Sequence, residues 1–165
     1  MNPMEMFEGA ARAAAAMARS VGPDQMRLPT PCSEWDVAAL LEHMAGGPGY
    51  LMGALGVGQG GAHAWPAAEA IDEVMARLAE PGTLERRCIS PAGFEWSVGE
   101  AAAGTAMDQL IHTWDLAVSV GADRTLHPEA TAAVVAMFLP QMPEVGRQAG
   151  FVGPAVDVPA DASAQ

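Results

Sequence analysis

A mostly α fold, a helical bundle with one small β-hairpin set before its longest helix, follows from three observations. Helix-start signals recur: Asn2-Pro3-Met4-Glu5, Ser33 with Asp36, and Ser97 with Glu100 each place a capping side chain three residues ahead of an acid. Behind each of them apolar residues return at helical spacing. Strand-like alternation is confined to residues 84–96, around the turn residues Ser90-Pro91-Ala92-Gly93.

The first helix covers the Ala-rich residues 7–19 and stops at Gly22-Pro23, where Gly can close a helix and Pro cannot continue one. Its stripe of Met6, Ala10, Ala13, Met17 and Val21 buries little area per residue, so it depends on close neighbours. The second starts at the Ser33/Asp36 box, with Val37, Leu40, Leu41 and Met44 on one face. Gly46-Gly47-Pro48-Gly49 then kinks or ends it, and residues 50–55 form another short helical piece. Residues 56–64 are a Gly-rich connection in which His63 is a loop residue. A third helix spans residues 66–80 on Ala67, Ile71, Val74, Met75 and Leu78. The hairpin holds Cys88 as a small hydrophobe, and the Ser97/Glu100 box launches the long helix that ends at Gly121. His127, an N-cap-region residue, precedes a fifth helix over about 129–139, broken by Pro140 and Pro143. An irregular tail fills about 148–165.

Composition narrows the function classes. At 165 residues the chain suits a single domain, residues 1–165, with a proper core. A net charge of −12, no Lys and eight scattered Arg argue against a nucleic-acid surface. No stretch approaches the roughly 18 to 20 unbroken apolar residues of a membrane span. The acidic N-terminus is unlike a signal peptide, so a cytoplasmic location with reduced Cys32 and Cys88 is expected.

The most informative stretch is Asp108-Gln-Leu-Ile-His112-Thr-Trp-Asp115 on the long helix. Positions i, i+4 and i+7 put two carboxylates and an imidazole on one face. Ala101, Gly104 and Thr105 make the same side small, leaving room for something that is not a side chain, while Met107, Leu110, Ile111, Trp114 and Val118 form an apolar flank. Spacing alone reads as an amphipathic helix with its Asp/His side in water; a metal site needs a third ligand. His43, bordering the second helix's stripe, reads by itself as a satisfied interfacial side chain.

Three blocks change that weighing. Thr30-Pro31-Cys32-Ser33-Glu34-Trp35-Asp36-Val37, Leu41-Glu42-His43-Met44-Ala45-Gly46-Gly47 and Asp108-x-x-x-His112-Thr113-Trp114-Asp115-Leu116-Ala117 together resemble the DinB/YfiT-like metal-binding four-helix bundles. Within these the chain is most similar to actinobacterial proteins related to the metal-binding domain of mycothiol-dependent maleylpyruvate isomerase. The resemblance implies one divalent metal, zinc by preference, held by His43, Asp108 and His112; Asp115, one turn on, reads as a hydrogen-bond acceptor behind the ligands or a helix-packing acid rather than a fourth ligand. Two imidazoles and a carboxylate suit zinc or iron(II) and leave positions open. Trp35 and Trp114 read as bundle-packing aromatics, with cofactor stacking a distant second.

The implied activity is that of a divalent-metal enzyme in which a low-molecular-weight thiol such as mycothiol, bound to the metal, attacks a small electrophilic substrate, by S-transfer or isomerisation. Two alternatives stand beside it: a tailoring enzyme that cyclises, hydrolyses or rearranges a hydrophobic intermediate without thiol, and a non-catalytic metal- or ligand-binding bundle. The thin Ala-rich stripes make a homodimer a reasonable expectation.

Overall fold

The structure is a computed structural model, and it describes residues 1–56, 65–140, 142–148, 150, 153, 154, 157, 159 and 161. Among them are six α-helices and one two-stranded antiparallel sheet: α1 (Pro3–Ser20), α2 (Val37–Ala54), α3 (Ala68–Leu78), β1 (Arg87–Ile89), β2 (Glu95–Ser97), α4 (Val98–Val120), α5 (Pro128–Phe138) and α6 (Met142–Gln148). None of the described helices is long and apolar enough to cross a membrane.

α1 opens with the reciprocal box its sequence signals: Asn2 Oδ1 accepts from the Glu5 amide at 2.9 Å, and Glu5 Oε2 accepts from the Asn2 amide at 2.8 Å. Its inner face is Phe7, Ala10, Ala11, Ala14 and Ala15, all with no exposed surface. Side chains this short let α1 lie close along α4. Phe7 clusters with Ala101, Ala10 with Ala106, and Ala18 with Leu116, so the two helices run parallel. α3 covers one flank of α1 with Ile71, Val74 and Leu78, and α5 covers the other with Ala130 and Val134.

α2 departs from the sequence reading at both ends. Asp36, not Ser33, is its N-cap: Asp36 Oδ1 accepts from the Ala39 amide at 3.0 Å while Oδ2 receives Arg27 Nη1 at 2.9 Å. Ser33 stays in the exposed turn before it. Nor does the helix end at the glycines; it runs unbroken through Pro48 to Ala54. Proline has no amide proton, so the carbonyl of Met44, four residues back, loses its helical donor. Gln109 of α4 replaces it, with Nε2 donating to Met44 O at 2.8 Å from a side chain that has no exposed surface. The approach is close because position 47 is glycine. A Cβ there would lie 2.8 Å from Gln109 Nε2 and 3.0 Å from Thr105 Cγ2.

The hairpin pairs Arg87 with Ser97, Cys88 with Trp96 and Ile89 with Glu95, and Gly93 takes φ +85° in its turn. Trp96 Nε1 donates to the Tyr50 hydroxyl at 2.8 Å, and that hydroxyl donates to Ile89 O at 3.0 Å, fastening the hairpin to the end of α2. Ser97 and Glu100 cap α4 as expected, and Gly121 closes it at φ +70°. His127 caps α5, accepting the Ala130 amide through Nδ1 at 3.3 Å. α6 was not expected behind Pro140, but Pro143 sits in its first turn, where a missing amide proton costs nothing.

Candidate metal centre

α2 and α4 run antiparallel, since Met44 meets Gln109 while Gly47 meets Thr105. That register puts His43, one residue before Met44, beside Asp108, one residue before Gln109. His43 Nε2 lies 3.2 Å from Asp108 Oδ1, and His112 Nε2 lies 3.5 Å from the same oxygen. Ligand atoms of all three side chains fall within 4.8 Å of one another. Two donors each about 2.0–2.2 Å from one zinc ion stand roughly 3–3.5 Å apart in tetrahedral or octahedral geometry, so the donor set fits a single cation.

The fourth polar residue orients the set. His112 Nδ1 lies 2.9 Å from Asp115 Oδ2, one turn further along α4. A carboxylate only accepts, so Nδ1 carries the proton and the lone pair of the neutral ring sits on Nε2, on the side of Asp108 and His43. This is the carboxylate–histidine arrangement that sets ring tautomer in metal sites. Asp115 is buried, whereas His43 and Asp108 keep 38% and 36% of their side-chain surface exposed, so the cluster opens to solvent on the α2 side.

Charge balance within the cluster is tight. Burial pushes the Asp108 carboxyl up, but the hydrogen bond and charge of His112, then of His43, outweigh it and hold the group below the ordinary aspartate range. Burial likewise works to lower His112, and Asp108 followed by Asp115 overcomes it, so the imidazole holds its proton more tightly than a free histidine.

Two residues that the sequence read only as a packing aromatic and a reduced thiol stand at the site. Trp35 lies over both imidazoles, its ring centroid 4.7 Å from that of His43 and 5.7 Å from that of His112. Beside it lies an open groove of about 570 Å³, lined by Arg27, Pro29, Ser33, Glu34, Trp35, Asp36 and Ala39. Cys32 reaches the site from the loop before α2, with Sγ 3.6 Å from Asp115 Oδ2. Burial, then the charge of Asp115, raises its pKa, so it is a protonated donor to that oxygen. The Thr-x-Cys-x-x-Trp spacing was the available signal: Thr30 Oγ1 accepts the Cys32 amide at 3.1 Å and donates to Trp35 O at 2.9 Å, so one threonine holds the backbone of the turn that carries both residues.

Other expectations are corrected. The space at Gly104 is filled by the Trp96 indole, whose Cη2 would lie 2.8 Å from a Cβ there, and Thr105 is buried against α2, so the small face is packing surface. Trp114 is 36% exposed rather than buried in the bundle, and with Ile111 and Val118 it forms an exposed apolar flank beside the polar face. His127 and Cys88 stand where the sequence placed them, outside the cluster, in the α5 cap and in β1. His63 and most of the Gly-rich connection lie outside the described residues.

Residues 7–92, just over half of the chain, match the family described as the mycothiol maleylpyruvate isomerase N-terminal domain. The chain belongs to that family. It is also similar to uncharacterized proteins from two Mycobacterium tuberculosis strains, H37Rv and CDC 1551, each 32% identical, with 89% of this chain and 85% of the relative covered. No solved structure matches. The segment shared with the mycothiol maleylpyruvate isomerase N-terminal domain carries Cys32, Trp35 and His43 and ends before α4. Asp108, His112 and Asp115 therefore come from the part of the chain beyond that match, and the fold unites the two.

Proposed function

We propose that this member of the mycothiol maleylpyruvate isomerase N-terminal domain family is a divalent-metal-dependent enzyme of thiol chemistry. His43 and Asp108 hold the cation from opposite helices, and His112 completes the set through Nε2. Zinc is the favoured metal because two imidazoles and one carboxylate match its borderline character. When bound, the cation supplies Lewis acidity that lets a coordinated thiol lose its proton near neutral pH.

The protein's own part is positional. Asp115 keeps the Nδ1 proton in place so that Nε2 donates its lone pair. Trp35 walls one side of the imidazoles and sheds water from it. Asp108, held ionised by its histidine neighbours, brings a negative charge that partly offsets the cation. The cosubstrate is a low-molecular-weight thiol of the mycothiol kind, and the acceptor is a small electrophile, attacked in S-transfer or in an addition, rotation and elimination sequence. No protein nucleophile is needed.

The observation that carries this reading is the convergence of His43, Asp108 and His112 at separations of 3.2 and 3.5 Å, with His112 already turned by Asp115. Its test is a turnover assay on the zinc-loaded protein with model electrophiles, with and without thiol. Turnover that needs both metal and thiol supports the proposal. Turnover that persists in chelator without thiol would assign the chain to thiol-free tailoring chemistry instead.

A further inference from the structure

The hydrogen bond from Gln109 to Met44 has a placement that stabilising a helix does not require. It joins the residue after His43 to the residue after Asp108. A proline-orphaned carbonyl on a helix surface can be satisfied by water; here it is satisfied across the helix interface, by a side chain with no exposed surface whose Oε1 has no partner among the described residues.

The surroundings hold the amide in place. Gly47 gives it room that a Cβ would take away, and the Thr105 methyl borders the same spot. Sliding α2 along α4 by one residue, about 1.5 Å, would break the Nε2 bond and carry His43 away from Asp108 by a similar amount.

We propose that Gln109 is the positioning residue of the centre: with Pro48 and Gly47 it forms a clamp that fixes the register of α2 on α4 and so sets the distance between His43 and Asp108. The proposal rests on the metal reading above for its purpose, but its geometry can be read without metal. Pro48 is integral to the device because it removes the competing donor and leaves Met44 O free to face α4.

The decisive comparison uses Gln109→Met, Pro48→Ala and the double variant. Gln109→Met keeps length and loses the donor. Pro48→Ala returns an amide proton to Met44 O within α2, so the double variant has a satisfied carbonyl but no tie between the helices. In the metal-free wild type, nuclear Overhauser contacts between the ring protons of His43 and His112 are expected, since the ring centroids are 4.7 Å apart. The clamp predicts that these contacts weaken in Gln109→Met and stay weak in the double variant even as its thermal stability recovers. Affinity for Co(II) should fall in both, by about tenfold, the low end for residues that orient ligands. Recovery of both ring contacts and affinity in the double variant would reduce Gln109 to a carbonyl cap and overturn the proposal, as would a Gln109→Met protein indistinguishable from wild type. Should Gln109→Met fail to fold, the double variant alone decides. Metal binding indifferent to His112→Ala would overturn the metal reading and leave the ring-contact result standing.

Discussion

His112 Nδ1 and Asp115 Oδ2 are 2.9 Å apart on successive turns of α4, and Cys32 Sγ approaches the same oxygen at 3.6 Å. One buried carboxylate oxygen thus takes donors from a helix and from a loop 83 residues distant in sequence. Substituting Asp115→Asn presents an amide that can donate to Nδ1 and so favours the other tautomer, with the proton on Nε2. Zinc affinity, measured by competition with a chelating dye, is expected to fall about 10–100-fold. An unchanged affinity would show that Asp115 does not orient the ring.

The raised pKa of His112 and lowered pKa of Asp108 make a prediction for pH. In the metal-free protein the His112 contribution to stability is full at low pH and is lost as pH rises through its raised folded pKa. That of Asp108 is present above the unfolded pKa and lost as pH falls through its lowered one. The pair therefore stabilises the metal-free fold between those two values. Metal binding needs His112 deprotonated, so affinity should drop as pH falls through the raised His112 value, above the ordinary histidine range. Urea unfolding with chelator and with zinc across pH checks this: the zinc-dependent gain should grow from mildly acidic to mildly alkaline pH, and a constant gain would contradict it.

Gly47→Ala tests the helix approach. Its methyl would meet Gln109 Nε2 at 2.8 Å, and that amide is buried and engaged. Forced separation of α2 from α4 is expected to cost about 1–3 kcal/mol in chemical denaturation. Gly46→Ala, whose Cβ meets nothing within 4 Å, is the control and should not destabilise.

Sequence carried the local parts of this structure well. The Asn2/Glu5 and Ser97/Glu100 boxes and the Gly121 stop are decided within a few residues, and they stand where their signals lie. The Asp108, His112 and Asp115 face is likewise a matter of helical period. What sequence could not resolve depends on distant partners. Pro48 stays inside α2 because the Met44 carbonyl it orphans is met by Gln109, 65 residues after Met44. Asp36 rather than Ser33 caps α2, two eligible residue types of which Asp36 also gains Arg27. Helical spacing showed the flank of Ile111, Trp114 and Val118 as apolar, but not that the packed helices leave it exposed. Cys32 looked unremarkable because its partner lies on another element.

The central claim is that His43, Asp108 and His112 hold one divalent cation, and elemental analysis of the purified protein tests it most directly. About one equivalent of zinc or a similar divalent metal per chain is expected in the wild type. His43→Ala and His112→Ala should each lose it while keeping the wild-type helical circular dichroism. Metal content unchanged in both variants, or a wild type that takes up none when zinc is supplied, would contradict the account.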